Sequence, residues 1–458
     1  MKGMGLLNAL RLTHRARALT PQQLGELQQK RLMRLVRHAK KHSPYFEKRL
    51  SHIDNPLRLS DLPVTQKTEL MANFDDWLTD RSVSKRDVER FMETPGNIGR
   101  KLNGRYLVNT TSGSTGHPAI VLYDKTTMNV VSAIAVLRAV AKREDLRAFL
   151  KKGKRTAGLF VDGGFYLGNG TVRWNQRRMP WKKNQIIVDV RQDTDQIVKQ
   201  LNDFQPALLG GYPTALELLL PELRNGKLNI SPVLIMAGGE HLSDALRAQL
   251  KEAFDCTVQS NYACTEAGTI ACECREGRYH LNEDWLIVEA VDQVFQPVAD
   301  GLPAEQLLIT NLFNYTQPFI RYVLTDRATI HSDPCPCGKT TRWIELEGRT
   351  DEILSFAGGR KVAPLALQSV IAEVKSIQRF QVVQRNKDTL ELRLQAQDPE
   401  QAFTEADQKL QAFFKKQGID VHVWLSAKAP QAHPDSGKFK HIYAYPAQPP
   451  EKVHSVEN

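Results

Sequence analysis

The residues richest in chemical potential form one short run, Asn109-Thr110-Thr111-Ser112-Gly113-Ser114-Thr115-Gly116-His117-Pro118. Glycine lets backbone N–H groups approach an anion closely, and Ser and Thr hydroxyls add donors, so such a loop can wrap polyphosphate oxygens. No Gly-Lys-Ser/Thr closes it, so it is not the common phosphate-binding loop. A polar hairpin turn has the same composition. Further along, Ala237-Gly238-Gly239-Glu240 closes an apolar run, the kind of strand end where ligands sit in open α/β sheets. Ser260-Asn261-Tyr262-Ala263-Cys264-Thr265-Glu266 offers an aromatic face, a hydroxyl and a carboxylate together. Pro318-Phe319-Ile320-Arg321-Tyr322 leads to Asp326, Gly348-Arg349-Thr350-Asp351-Glu352 follows, and Pro434-Asp435-Ser436-Gly437-Lys438 puts a lysine on a turn. Each has a plainer reading: Glu266 capping a helix near Gly268, Asp326 holding a turn, Arg349 pairing with Glu347 or Asp351.

The cysteines make a second constellation. Cys274, His280, Cys335 and Cys337 supply three thiolates and an imidazole, the donor set of a closed, structural zinc site. Cys272 is the substitute ligand if the register is shifted. Cys256 and Cys264 read as ordinary reduced cysteines, and no His beside Cys264 marks it as a nucleophile.

In their order, these motifs resemble the adenylate-forming superfamily of acyl-CoA synthetases. The branch is that of phenylacetate-CoA ligases and capsular-polysaccharide adenylating proteins, and the resemblance runs from His42-Ser43-Pro44-Tyr45-Phe46 to Lys438. It implies ATP-dependent joining of a carboxylic acid to AMP, release of pyrophosphate, and transfer of the acyl group to CoA. An amine, a hydroxyl or a carrier protein is the alternative acceptor, and a non-catalytic nucleotide-binding relative is the third reading.

Carried over residue by residue, the loop Thr110, Thr111, Ser112, Gly113, Ser114, Thr115 and Gly116 cradles the β- and γ-phosphates. Thr265 bonds the α-phosphate, and Glu266 holds magnesium. Tyr262 stacks on adenine, with Gly239 and Glu240 lining the base. Asp326 accepts the ribose hydroxyls, Arg349 binds near ribose and phosphate, and Lys438 contacts the reacting carboxylate. The resemblance also implies a mobile C-terminal domain, with Asp351 as its hinge. Phe165, Tyr212 and Gly238 fall where this branch builds its acid pocket, which suits an aromatic acid. The sequence departs from the usual pattern at Ala263, where Gly is common, and at Tyr322-Val323-Leu324-Thr325-Asp326, where Tyr-Arg-Thr-Gly-Asp is usual. Gln368 replaces a frequent Glu.

Positioning these groups takes a large scaffold. At 458 residues the chain exceeds one ordinary core. Apolar runs such as Thr156–Val161, Ile186–Val190, Ala207–Leu209 and Val233–Ala237 alternate with helical stretches Asp193–Phe204, Thr214–Leu223 and Ser243–Phe254. That alternation predicts an α/β fold with a mainly parallel sheet flanked by helices. From Trp285 to Ile330 short β runs predict a small antiparallel barrel or sheet. After residue 349 a smaller α+β domain is expected, with helices near Pro364–Val374 and Thr404–Lys416. The expected domains are therefore 1–349 and 350–458.

Composition excludes several function classes. No apolar run is long enough to span a bilayer and no signal peptide is evident. Six cysteines in a chain this size are no disulfide framework, so a reducing, cytoplasmic compartment is expected. The net charge is +11, but residues 1–50 hold twelve Lys and Arg against two Asp and Glu. A nucleic-acid enzyme spreads its cations along a groove, so nucleic acid is not expected as a partner. The basic segment predicts two helices. The first sets Leu6, Leu7, Leu10 and Leu12 opposite Arg11, Arg15 and Arg17; the second carries Lys30, Arg31, Arg34, Arg37, Lys40 and Lys41 mostly outside. A solvated basic face is the main reading, with peripheral membrane or acidic carrier-protein contact as alternatives.

Overall fold

The computed structural model describes residues 3–52, 58–111, 118–178, 184–349, 354–362, 373–431 and 439–444, with Leu367, Val370 and Ile371. The chain divides into two compact units, Met1–Leu324 with Ala328–Glu345, and Thr325–Arg327 with Leu346–Asn458.

The frame of the large unit is a ten-stranded sheet. Five of its strands run parallel in the spatial order Gln185–Asp189, Thr156–Phe160, Leu208–Gly211, Leu234–Ala237 and Thr257–Cys264. The helices between them start where the sequence offers a cap. Asp193 accepts a hydrogen bond from the Gln196 N–H at the head of Thr194–Phe204, and Ser243 accepts from Leu246 at the head of Asp244–Phe254. Their apolar faces bury Leu201 and Leu250 with Leu159, Val188, Leu209 and Ile235 from the strands. Burial on both faces explains why these strands read as continuous apolar runs.

The α/β class expected from the sequence is the one observed, with two differences of detail. The large sheet is mixed, because Thr257–Cys264 turns back into Gly268–Glu273 and an antiparallel half continues from there through Tyr279–Leu281 and Trp343–Arg349. The β-rich stretch contributes an open three-stranded antiparallel sheet, Leu286–Val291, Gln306–Asn311 and Tyr322–Leu324. Among the described residues it does not close into a barrel. A third sheet, Lys101–Leu102, Tyr106–Thr110 and Ile120–Tyr123, carries the run at residue 109.

The basic N-terminal segment is helical over Leu6–Arg15 and Pro21–His42, but its faces differ from expectation. Ala9 and Thr13 are buried while Leu7 is 83% exposed. The start of the segment docks on helix Lys125–Arg138: the Asn129 amide donates to the Met4 carbonyl at 2.7 Å, and Thr126 Oγ1 accepts from Gly3 and Met4. The Ala9 and Thr13 side of the helix therefore faces inward. Arg31 also turns inward, stacked 3.7 Å over the Trp285 ring and donating to the Asp284 carbonyl. Lys30, Arg34, Arg37 and Lys41 stay exposed.

The second unit holds a four-stranded sheet in the order His422–Leu425, Thr389–Ala396, Ile377–Asn386 and Ile442–Tyr443. Helix Pro399–Gln417 packs on it through Ala406, Leu410 and Phe414. The helix predicted near Pro364–Val374 falls mostly outside the described residues. Among the described residues no helix is long and apolar enough to cross a membrane.

One buried ion pair ties the N-terminal segment to the frame. Arg138 grips Asp284 through two hydrogen bonds of 2.7 and 2.9 Å and donates to the Thr13 carbonyl at 3.0 Å. The Asp284 side chain is only 2% exposed. Arg138→Met should therefore strand a buried carboxylate and lower stability by about 3–5 kcal/mol. Denaturant unfolding checks this, and a loss below about 1 kcal/mol would show the pair to be dispensable.

Candidate functional site

The turn Thr265-Glu266-Ala267 joins Thr257–Cys264 to Gly268–Glu273, so Glu266 lies in a hairpin and caps no helix. A bulge between Tyr262 and Ala263 in the register shifts the pairing just before the turn. Gly268 completes it at φ +66°, where a Cβ would meet Val131 Cγ2 at 2.9 Å. Three anchors reach this turn from other strands. The Tyr123 hydroxyl donates to the Thr265 carbonyl at 2.7 Å. The Asn311 amide donates to the Glu266 carbonyl at 3.0 Å. The Tyr322 hydroxyl donates to Glu266 Oε1 at 2.9 Å. Glu266 is 5% exposed, so its carboxylate is held by one oxygen in a largely dry setting. Among the described residues no side chain donates to Oε2.

The ends of the parallel strands lie beside this hairpin. Ala237 pairs with Ser260, which sets Gly238 level with Asn261, and the Gly238 N–H donates to the Gly211 carbonyl at 3.0 Å. A Cβ on Gly238 would meet nothing within 4 Å, and Gly239 turns at φ +81°. Glu240 is committed: its Oε2 accepts from the Thr214 N–H at 3.2 Å and the Thr214 hydroxyl at 2.8 Å. That carboxylate pins the first turn of helix Pro213–Glu217 and so ties one strand end to the next. Tyr262 is buried at the end of its strand. Tyr212 is buried edge-on to Phe160, with centroids 5.3 Å apart, and burial pushes its hydroxyl well above the usual range. Phe165 is buried against Phe91.

The hydroxyl-rich run is described at its two ends. The Thr110 N–H donates to the Phe165 carbonyl at 2.7 Å. The Thr111 N–H donates to the Ala119 carbonyl at 3.0 Å, and the Ala119 N–H returns a bond to Thr111 Oγ1 at 2.8 Å. Thr111 thus closes the neck; Ser112, Gly113, Ser114, Thr115 and Gly116 lie outside the described residues. The strand leaving the neck has its open edge covered by side-chain amides. Gln317 accepts from the Leu122 N–H at 2.6 Å and donates to the Ile120 carbonyl at 3.1 Å, while Asn314 donates to the Leu122 carbonyl at 3.3 Å.

Asp326 opens the strand Asp326–His331 and Arg349 ends Trp343–Arg349; both belong to the second unit. Asp351 and Lys438 lie outside the described residues. Sequence reasoning missed Tyr123, Asn311, Asn314 and Gln317, and it read Tyr322 only as the lead into Asp326. The three-residue spacing of Asn311, Asn314 and Gln317 resembles any polar loop, and no motif marks the tyrosines.

The Cys274, His280, Cys335 and Cys337 donor atoms all lie within 4.8 Å of one another. Cys274 and Cys335 sulfurs are 3.8 Å apart, and Cys337 Sγ is 3.3 Å from His280 Nε2. His280 Nδ1 is 2.9 Å from the Thr341 carbonyl, which fixes the proton there and turns a bare Nε2 toward the thiols. Burial also lowers His280 to about 4, keeping the ring neutral, the form that ligates. Cys272 pairs with His280 across the strands and receives the Asn282 amide, so it is not part of the cluster. Burial pushes the Cys256 thiol up to about 12, an inert position.

Residues 47–294 match the family of AMP-binding enzymes. The phenylacetate-coenzyme A ligase of Thermus thermophilus is 26% identical over 403 residues, 83% of either chain. Protein CapK of Staphylococcus aureus is 26% identical over 199 residues, 42% of either chain. Among solved structures, 2-hydroxyisobutyryl-CoA ligase in the postadenylation state with 2-HIB-AMP superposes with a TM-score of 0.63 at 18% identity. That match covers 94% of this chain and 89% of the other. The anthranilate CoA ligase AuaEII has a TM-score of 0.53 at 15% identity, covering 73% of this chain and 65% of that one. These structures share the fold.

The Tyr322–Glu266 contact yields a direct test. Tyr322→Phe removes the donor from a buried carboxylate and should cost about 1.5–3 kcal/mol, the range for hydrogen bonds to charged groups. Thermal or denaturant unfolding checks it. A variant as stable as the parent would mean that Glu266 does not depend on this bond.

Proposed function

The chain belongs to the AMP-binding enzyme family and is a carboxylate-adenylating ligase; from that premise we propose that it converts a small carboxylic acid to its acyl-AMP and transfers the acyl group to the thiol of CoA. The carrying observation is Glu266, a buried carboxylate with one oxygen held by Tyr322 and no described side-chain donor on the other. It stands at the end of a central strand in a chain matched to the family over residues 47–294.

A carboxylate attacks an anionic α-phosphorus poorly, so the site must neutralise charge and align the attack. We assign the loop from Thr110 to Gly116 to the β- and γ-phosphates and the Thr265 hydroxyl to the α-phosphate. A lone carboxylate beside substrate phosphates suits magnesium, which takes few protein ligands and keeps its waters, and Glu266 Oε2 is the oxygen that would hold it. When bound, the ion supplies positive charge to the phosphates. Tyr262 is assigned to adenine. The backbone at Gly239 and Glu240 lines the base, since the Glu240 carboxylate is occupied by Thr214. Asp326 takes the ribose hydroxyls and Arg349 the neighbouring phosphate. Lys438 is the point charge for the reacting carboxylate, a role suited to a flexible ammonium. Asp351 is the pivot that lets the C-terminal domain, placed at 350–458, change orientation between the two half-reactions.

For the acid we favour an aromatic one. Phe165 and Tyr212 are buried aromatics, Tyr212 following the strand end that pairs with Ala237, and a Cβ on Gly238 would meet open space. A second acceptor has one observation in its favour. Lys30, Arg34, Arg37 and Lys41 form an exposed stripe on helix Pro21–His42, a surface suited to an acidic carrier protein bearing the acceptor thiol.

Acid-dependent pyrophosphate release across a panel of aryl, arylacetic and short hydroxy acids tests the reading, with mass analysis of products made with and without CoA. An acyl-CoA product formed best from an aromatic acid supports it; no pyrophosphate release with any acid overturns it. Lys438→Ala should cut pyrophosphate release by about a hundredfold or more while thioester formation from supplied acyl-AMP persists.

The Cys274, His280, Cys335 and Cys337 set fits zinc in donor type, count and second-shell support, and with no open position it would be structural. Purified protein should contain about one zinc per chain, and Cys335→Ser or Cys337→Ser should lose it with a lower Tm. Freshly prepared protein without zinc by elemental analysis would contradict this.

A further inference from the structure

Gln381 sits on the strand Ile377–Asn386 with no exposed surface. Its Nε2 donates to two backbone carbonyls, Gln431 and Lys440, each at 3.0 Å. Those carbonyls are nine residues apart in sequence, and the segment between them carries Lys438. One buried amide therefore holds both ends of that segment to the sheet. Neighbouring contacts fix the second end further: the Val382 N–H donates to the His441 carbonyl at 2.7 Å, and His441 Nδ1 donates to the Phe380 carbonyl at 3.1 Å.

The amide cannot be turned the other way. Arg393, its register partner on the adjacent strand, donates from Nη1 to Gln381 Oε1 at 3.2 Å. Guanidinium only donates and a carbonyl only accepts, so oxygen must face Arg393 and nitrogen must face the two carbonyls. Arg393 is 1% exposed and is itself held: its Nε meets Glu391 Oε1 at 2.7 Å. Ser426 Oγ donates to the same oxygen at 2.7 Å, and Arg385 Nε donates to Oε2 at 2.6 Å. A buried polar chain thus runs from Arg385 through Glu391 and Arg393 to Gln381 and ends on the two carbonyls. Polar groups this deep are costly unless all of them are paired, and apolar residues would fill the same sheet at less cost.

We propose that Gln381 is a positioning residue for adenylation, setting the base of the Lys438 segment through its paired bonds to Gln431 and Lys440. The proposal rests on the role given to Lys438 above. Gln381 touches no reactant; it acts by fixing the chain on either side of the lysine, so it serves the half-reaction that uses Lys438 and not the one that does not.

The test compares Gln381→Glu and Gln381→Met in the full-length protein. At neutral pH the glutamate pairs with Arg393 but turns an acceptor oxygen toward two carbonyls. Pyrophosphate release should fall about tenfold or more, while thioester formation from supplied acyl-AMP stays within about twofold. As pH is lowered the carboxyl takes up a proton and can donate one bond, so Gln381→Glu should regain release relative to the parent at each pH; Gln381→Met should not. Equal losses in both half-reactions, or no loss in either, would overturn the proposal. If the parent protein releases no pyrophosphate with any acid, the functional reading fails on its own. Hydrogen exchange then decides the clamp. Faster exchange of the amides between residues 431 and 440 in Gln381→Met, with the strand Thr389–Ala396 unchanged, supports it; unchanged exchange refutes it.

Discussion

Everything in the large unit converges on one turn. The turn that carries the buried Glu266 carboxylate is held from separate sheets, by one bond to the carboxylate and two to backbone carbonyls. Tyr123 comes from the sheet that carries the hydroxyl-rich run, Asn311 and Tyr322 from the small antiparallel sheet, and the turn itself from the ten-stranded sheet. Moving any of the three sheets relative to the others would break one of these bonds. The bulge before the turn and Gly268 after it let the hairpin accept them. Glu266 is thereby placed by three sheets and not by its own loop alone.

The same device recurs in the supports around it. Asn311 accepts from the Phe313 and Asn314 N–H groups, and Asn314 Oδ1 accepts from the Gln317 N–H, so each amide orders the next. Their outward groups then bond the strand that leaves the hydroxyl-rich neck. The chain of bonds reaches from that strand to the Glu266 carbonyl. In the second unit Glu391, Arg393 and Gln381 form a comparable chain ending on the Gln431 and Lys440 carbonyls. Buried polar ladders of this kind contribute less to net stability than apolar packing of equal volume, but they fix position closely.

What could be read from the sequence follows from how local each determinant is. Helix caps at Asp193 and Ser243 and the apolar runs at Leu209 and Ile235 are decided by neighbours in sequence, and the elements form where they indicate. The Cys and His residues could be singled out because few other roles want that set of donors. Partners distant in sequence were not legible. Leu7 looked like core, yet it faces solvent because the helix turns Ala9 and Thr13 inward. Arg31 looked like surface, yet it stacks on Trp285, a residue far along the chain. Nothing in the sequence signals that the Glu240 carboxylate holds Thr214, a residue twenty-six positions earlier. The antiparallel half of the large sheet escaped for a related reason, since a hairpin at Gly268 leaves little trace in apolar periodicity.

The central claim is that a carboxylate oxygen attacks the α-phosphorus of ATP. Isotope transfer tests it most directly. With an acid labelled by ¹⁸O in both carboxyl oxygens, attack forms a new C–O–P bridge and expels pyrophosphate. Thiolysis then breaks the acyl C–O bond and leaves the bridging oxygen on phosphorus. Mass spectrometry after a single turnover should find one ¹⁸O in AMP and none in pyrophosphate. Label in inorganic phosphate, or AMP without label alongside product, would contradict the account.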